Sequence, residues 1–240
     1  MISLSVRGVR GGVGNSSLLA ALGHALHHLG QSVLLVDMCP ENLLGLHFNL
    51  SVGERGGWAR ALLDEQNWED QAWTLQPQLC LLPYGQLDHP EQQQVEHRLS
   101  KDPDVWARRQ AALAKHFDWM LFDLPQRLPG HAEVGSCALQ IQVAEADAAC
   151  HVLLHRAEAL DGYLLVNRFE PASLLQRDLL LIWRRLFGAR MLPLAVHNDE
   201  AMREALALQK PLGQHSPASL AAQDVLSLAT WCLAQRQERP

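Results

Sequence analysis

The chain has 240 residues, of which 48% are hydrophobic and 19% charged, a balance that excludes intrinsic disorder and suffices for a large core. Its 20 basic and 26 acidic residues leave a formal charge of −6, which argues against nucleic acid as a partner, since such binders carry a basic excess. The five cysteines, Cys39, Cys80, Cys137, Cys150 and Cys232, form no C-x-x-C pair, so reduced thiols in a cytoplasmic protein are expected rather than a disulfide framework or zinc ribbon.

No apolar run reaches the ~18 residues that a membrane span needs. The first residues carry no basic-then-apolar signal but open on a strand, with Ile2, Leu4 and Val6 alternating with serines. Next comes the loop Gly8-Val9-Arg10-Gly11-Gly12-Val13-Gly14-Asn15-Ser16-Ser17. Leu18, Leu19, Leu22, Ala25, Leu26 and Leu29 follow at helical spacing, and Gly30 suits the helix end. Ser32 to Asp37 reads as a buried strand ending in a carboxylate. Strand, helix and strand at this length predict a parallel pair.

The alternation continues. Strands are predicted at Leu79 to Pro83, Trp119 to Asp123, Ala138 to Val143, Gly162 to Asn167 and Met191 to Val196. Helices are predicted at Glu91 to Ala114 with a break at Pro103, at Ala148 to Ala159, at Ser173 to Phe187 and at Glu200 to Gln209. A last helix runs from Ser216 to about Gln235, with Pro217 in its first turn. This order predicts a three-layer α/β fold, a doubly wound and mostly parallel sheet with helices on both faces. No linker divides the chain, so one domain over residues 1–240 is expected. Ligands in such folds sit at the carboxyl ends of the strands, where Asp37, Asp123 and Asn167 fall.

The glycine loop allows two readings. Gly12-Val13-Gly14-Asn15-Ser16-Ser17 approximates a dinucleotide fingerprint, with Asp37 about twenty residues on as the ribose-binding acid. Alternatively, Gly11, Gly12 and Gly14 let backbone N–H groups wrap a phosphate, and Ser16 ligates Mg²⁺ at the helix N-terminus. A phosphate-loop NTPase needs a second carboxylate on a neighbouring buried strand. Trp119-Met120-Leu121-Phe122-Asp123 supplies it, and a dehydrogenase has no use for it.

Arg10-Gly11-Gly12-Val13-Gly14-Asn15-Ser16-Ser17 resembles the deviant Walker A motif of the ParA/MinD family of P-loop ATPases, Lys-Gly-Gly-x-Gly-Lys-Ser/Thr. Four further stretches narrow the resemblance, over nearly the whole chain, to the MinD-like BcsQ group of bacterial cellulose biosynthesis. They are Val36-Asp37-Met38-Cys39-Pro40-Glu41-Asn42-Leu43-Leu44, Gly57-Trp58-Ala59-Arg60-Ala61, Leu81-Leu82-Pro83-Tyr84-Gly85-Gln86-Leu87 and His197-Asn198-Asp199-Glu200-Ala201-Met202.

The resemblance implies the P-loop fold of the SIMIBI class, ATP and Mg²⁺ as cofactors, and a dimer that closes around two nucleotides. Arg10 stands where the family lysine reaches the partner's nucleotide. Gly11, Gly12, Val13, Gly14, Asn15, Ser16 and Ser17 would cradle the phosphates, and Ser16, Asp37 and Asp123 would hold Mg²⁺. Asn167 and Arg168 match the adenine-recognising pair, with Pro193 and the stretch to Asn198 across the base. Two catalytic positions depart from the family: Asn15 replaces the second lysine, and Cys39 replaces the Asp that orients water. A neutral amide and a thiol serve those tasks poorly, so nucleotide binding with weak or absent hydrolysis is expected. The alternative is an active ParA/MinD-type ATPase cycling between monomer and dimer to position a complex.

Expected partners are a second copy, other cytoplasmic components of a cellulose synthase assembly and a small companion subunit, with recruitment to the inner membrane only through them. Direct membrane insertion is not expected, because the last helix offers Arg236 and Arg239 against Asp224 and Glu238, not the basic face of a surface anchor. Three other features read as structural: His24 and His28 as a packed or solvated pair, His197 with Asp199 as a pair without a nucleophile, and most tryptophans as core. Trp58, Trp68 and Trp73, outside the regular strands, leave a partner surface open.

Overall fold

A computed structural model describes residues 1–51, 53–135, 137–156 and 162–237, the side chain of Gln237 excepted. In chain order the regular elements are β1 (Ile2–Gly8), α1 (Asn15–His28), β2 (Val33–Asp37), α2 (Trp58–Leu63), β3 (Trp73–Gln76), β4 (Leu79–Leu82), α3 (His89–Lys101), α4 (Val105–Leu113), β5 (Trp119–Leu124), α5 (Pro129–Ala132), β6 (Leu139–Glu145), α6 (Ala148–Arg156), β7 (Tyr163–Phe169), α7 (Leu174–Phe187), β8 (Met191–His197), α8 (Ala201–Ala207), α9 (Leu212–His215) and α10 (Leu220–Gln237). The eight strands form one sheet in the order β3-β4-β2-β5-β1-β6-β7-β8. Every pairing is parallel except β3 with β4. The expected doubly wound α/β architecture is therefore present.

The pleat divides the core. Val33 and Leu35 of β2, with Trp119 and Leu121 of β5, join the core that holds α1 and α10. Leu34, Val36, Met120 and Phe122 point the other way, onto Val95, Leu99 and Trp106 of α3 and α4. Successive residues face opposite layers, which is why these strands are apolar throughout.

Some boundaries differ from expectation. The last helix begins at Leu220, and Pro217 sits before it in a turn closed by the Ser219 N–H on the Ser216 carbonyl. Pro103 separates α3 from α4 as expected. The edge strand β3 is an addition: it is mostly exposed and shifts register between Thr74 and Gln76, so no apolar pattern marks it. Of the helix expected to reach Ala159, the part beyond Arg156 lies outside the described residues, as do Glu238 and Arg239.

Candidate nucleotide site

β1 runs straight into the glycine loop, and the loop opens α1. Gly8 ends the strand in a space too tight for a side chain: a Cβ there would lie 2.6 Å from the Arg10 carbonyl and 2.8 Å from Val13 Cγ2. Gly14 precedes α1 with φ +91°, the left-handed conformation that glycine tolerates. A Cβ on Gly14 would also stand 2.7 Å from Asn167 Nδ2. The amide of Asn167, 5% exposed and two residues before the end of β7, donates to the Val13 carbonyl at 2.7 Å. Next to it, Arg168 donates to the Gly12 carbonyl at 2.9 Å and pairs with Glu145. Two strand ends thus fix the loop from the side.

The loop walls a cavity of about 600 Å³ that also takes in Cys39, His47, Asp123 and the segment Pro125 to Leu128. A smaller cavity of about 160 Å³ adjoins it across Gly14, Ser17, Arg168 and Leu206. Asn167, His197, Asn198 and Asp199 line this smaller one. Pro193 lines neither; it is exposed in the middle of β8.

Asp123, which lines the large cavity, belongs to a buried acidic pair with Asp37. Asp37 ends β2 and Asp123 stands one residue before the end of β5, in direct register with it, and both are fully buried. Asp37 accepts from the backbone N–H groups of Cys39 and Leu44 at 2.9 and 3.0 Å. The Ser16 hydroxyl donates to Asp123 Oδ2 at 2.5 Å, while Asp123 Oδ1 is buried with no partner. Burial pushes the Asp123 carboxyl above the usual carboxylate range, against the Ser16 hydrogen bond. Asp37 is pushed well up too, by burial and then by the Asp123 charge. Side-chain ligand atoms of Asp37, Cys39 and Asp123 lie within 4.8 Å of one another.

This donor set fits a magnesium ion. An orphaned buried oxygen, an adjacent hydroxyl and a second carboxylate offer hard ligands, which Mg²⁺ takes with water and phosphate. Two neighbouring carboxylates that resist ionisation together are eased by a divalent charge. Cys39 suits that ion least. Its Sγ lies 3.5 Å from the Asp123 carbonyl, and burial and the acids drive its pKa far up, so it stays a neutral thiol.

Arg10 is held within its own chain. Its guanidinium meets Glu145, the last residue of β6, at 2.5 Å and Asp147, just beyond it, at 2.7 Å. Sequence reasoning missed Glu145 and Asp147, although two acids at a strand end beside a basic loop were visible. Asn15 buries its Oδ1 without a hydrogen-bond partner, close to Gly8.

Other candidates resolve differently. Trp58 is fully buried, and its indole N–H donates to the Asp37 carbonyl at 2.7 Å. Trp68 packs on Trp106 and Arg109, and Trp73 is 41% exposed. The His197 ring pairs with Asp224 at 2.7 Å, while Asp199 caps Ala201 and Ala221. His24 and His28 stack together, and among the described residues no metal-binding cluster includes them.

The family model for "Cellulose biosynthesis protein BcsQ" matches residues 1–233. The chain belongs to this family. The BcsQ of Escherichia coli K12 is 40% identical over 237 residues, covering 97% of this chain and 94% of that protein. Solved structures agree on the fold. The septum site-determining protein MinD of Pyrococcus horikoshii, complexed with Mg-ADP, superposes with a TM-score of 0.74 at 21% identity, over 96% of this chain and 95% of that one. An McdA–ATP complex of Cyanothece gives 0.76 at 17% identity, over 98% and 96%. This BcsQ-family chain therefore has the MinD/ParA P-loop fold, and no helix among its described residues is long and apolar enough to cross a membrane.

Proposed function

We propose that this chain binds ATP with Mg²⁺, closes into a dimer around the nucleotides, and serves as a slowly hydrolysing regulatory scaffold of a cellulose synthase secretion complex. The observation that carries the reading is the unpartnered, buried Asp123 Oδ1 beside Ser16, under a loop of glycine N–H groups. Phosphates would lie against Gly11 to Ser17, and the base would enter the smaller cavity beside Asn167 and Asn198. A bound magnesium ion would offset phosphate charge through Ser16, Asp37 and Asp123.

Two residues of the site support the slow turnover proposed. A cation at position 15 and a water-positioning carboxylate at position 39 are the groups that phosphoryl transfer relies on. Here they are an amide and a neutral thiol. Closure adds a further demand, because Arg10 must leave Glu145 and Asp147 before it can serve a second copy. The bound nucleotide then acts as a structural element, and the closed pair presents a surface to other cytoplasmic subunits, including a small companion. The negative charge favours protein partners over nucleic acid.

Purified protein incubated with Mg-ATP tests this, with nucleotide content read by chromatography over hours and mass by light scattering. The expected result is intact ATP in a dimer that Arg10→Ala weakens. Turnover on the order of 1 s⁻¹, as in ordinary enzymes, or equal dimer fractions with and without ATP, would refute it.

A further inference from the structure

The large cavity is poor in free positive charge. Three arginines line it: Arg10, Arg127 and Arg168. Arg10 is committed to Glu145 and Asp147, and Arg168 to Glu145 and the Gly12 carbonyl. Position 15 contributes a neutral amide. Arg127 alone among these arginines has no hydrogen bond or ion pair with any described residue.

Its backbone is nevertheless held on both sides. The preceding residue, Gln126, donates from Nε2 to the Val9 carbonyl at 3.1 Å, and its own carbonyl accepts from Arg7 at 2.7 Å. Leu128, which follows, has φ +78°. Beyond it the N–H groups of Gly130 and His131 donate to the Glu96 carboxylate at 2.7 and 3.1 Å. A long, exposed guanidinium therefore stands on a fixed base at the wall of the cavity.

Place within the cavity matters as well. Arg168 borders both cavities, whereas Arg127 borders only the large one. With a base in the small cavity, the phosphate chain points away from Asn167, towards Cys39 and the Gln126–Arg127 segment. A Cβ on Gly11 would lie 3.8 Å from Gln126 Oε1, so this segment faces the loop at close range.

We propose that Arg127 takes over the charge missing at Asn15, binding the terminal phosphate of a nucleoside triphosphate from the segment after β5, and so makes the site prefer triphosphate to diphosphate. This rests on the reading of the cavity as a nucleotide site. The planar guanidinium suits a bidentate grip on phosphate oxygens, better than an ammonium does. A cation outside the P-loop, on the segment after β5, meets a phosphate that only the triphosphate has.

The test is calorimetric titration of the full chain with Mg-ATP and with Mg-ADP, in wild type, Arg127→Gln, Arg127→Lys and the double variant Arg127→Gln with Asn15→Lys. Arg127→Gln should weaken Mg-ATP about tenfold or more, the range of one charge-assisted contact, and Mg-ADP by less than about threefold. Arg127→Lys should fall between, and the added Asn15→Lys should recover triphosphate affinity. Unchanged ATP binding by Arg127→Gln, or equal losses for both nucleotides, overturns the assignment of Arg127 while leaving the nucleotide site in place. A wild type that binds neither nucleotide overturns the reading of the site itself.

Discussion

Trp58→Phe probes the link between the core and the site. The wild-type indole is fully buried, donates to the Asp37 carbonyl at 2.7 Å, and stands edge-on to Tyr84 and Trp106 with ring centroids 5.2 and 5.1 Å away. Phenylalanine keeps an aromatic ring but removes the N–H. A buried carbonyl that loses its donor costs about 1–3 kcal/mol. The space left by the missing ring atoms adds about 1 kcal/mol. The loss should therefore be about 2–4 kcal/mol, measured by urea unfolding. In a chain of this length each kcal/mol is worth about 2–4 °C, so the melting temperature should fall by roughly 4–16 °C. Because the lost bond belongs to Asp37, the register partner of the cavity-lining Asp123, Mg²⁺-dependent nucleotide binding should weaken too. A loss below about 1 kcal/mol would refute the reasoning, since it would mean that the Asp37 carbonyl does not depend on this donor.

Three other variants bear on the site. Gly14→Ala forces a side chain into left-handed backbone, at about 1–2 kcal/mol, and against Asn167 Nδ2; equilibrium dialysis should show ATP retention lost while the fold survives. Asn15→Lys with Cys39→Asp should raise phosphate release at least about tenfold, and an unchanged rate would show that other groups limit turnover. Burial holds the His47 imidazole neutral, its pKa pushed down to about 4. The unfolded chain binds that proton first, so the stability from this group is complete above about 6.5 and lost as pH falls towards 4, by at most about 3 kcal/mol. His47→Gln should therefore show a flatter acid limb than wild type when melting temperature is plotted against pH.

The sequence made the chemistry of the loop legible because chemistry and local geometry coincide there. Gly11, Gly12 and Gly14 lie within one turn of chain, and Asp37 and Asp123 each end an apolar run that could only be a buried strand. Relations between distant segments were not legible. Nothing near Arg10 announces that residues 135 and 137 positions later would pair with it. Arg109, a charge in a mostly polar helix pattern, reads as solvated. Instead it is 7% exposed, 4.6 Å above the Trp106 ring and 4.8 Å from that of Trp68, its pKa lowered to about 10 by burial. The hydrogen-bonded chain from Glu96 through His131 to the Tyr84 hydroxyl joins α3, α5 and the loop after β4 and has no local signature. Pro217 misled for a local reason: proline fits a first helical turn, but it fits a β-turn as well.

Both margins of the sheet discourage addition of another strand. At one, β3 is four residues long and slips register, so it offers no straight ladder to a newcomer. At the other, Pro193 removes a donor from β8 where its pairing with β7 shifts register between Leu164 and Val166. Short, irregular or proline-bearing margins are how β-proteins avoid fusing edge to edge. A second copy of this chain would therefore meet a broken or donor-poor ladder at either margin, which discourages its sheet from continuing this one.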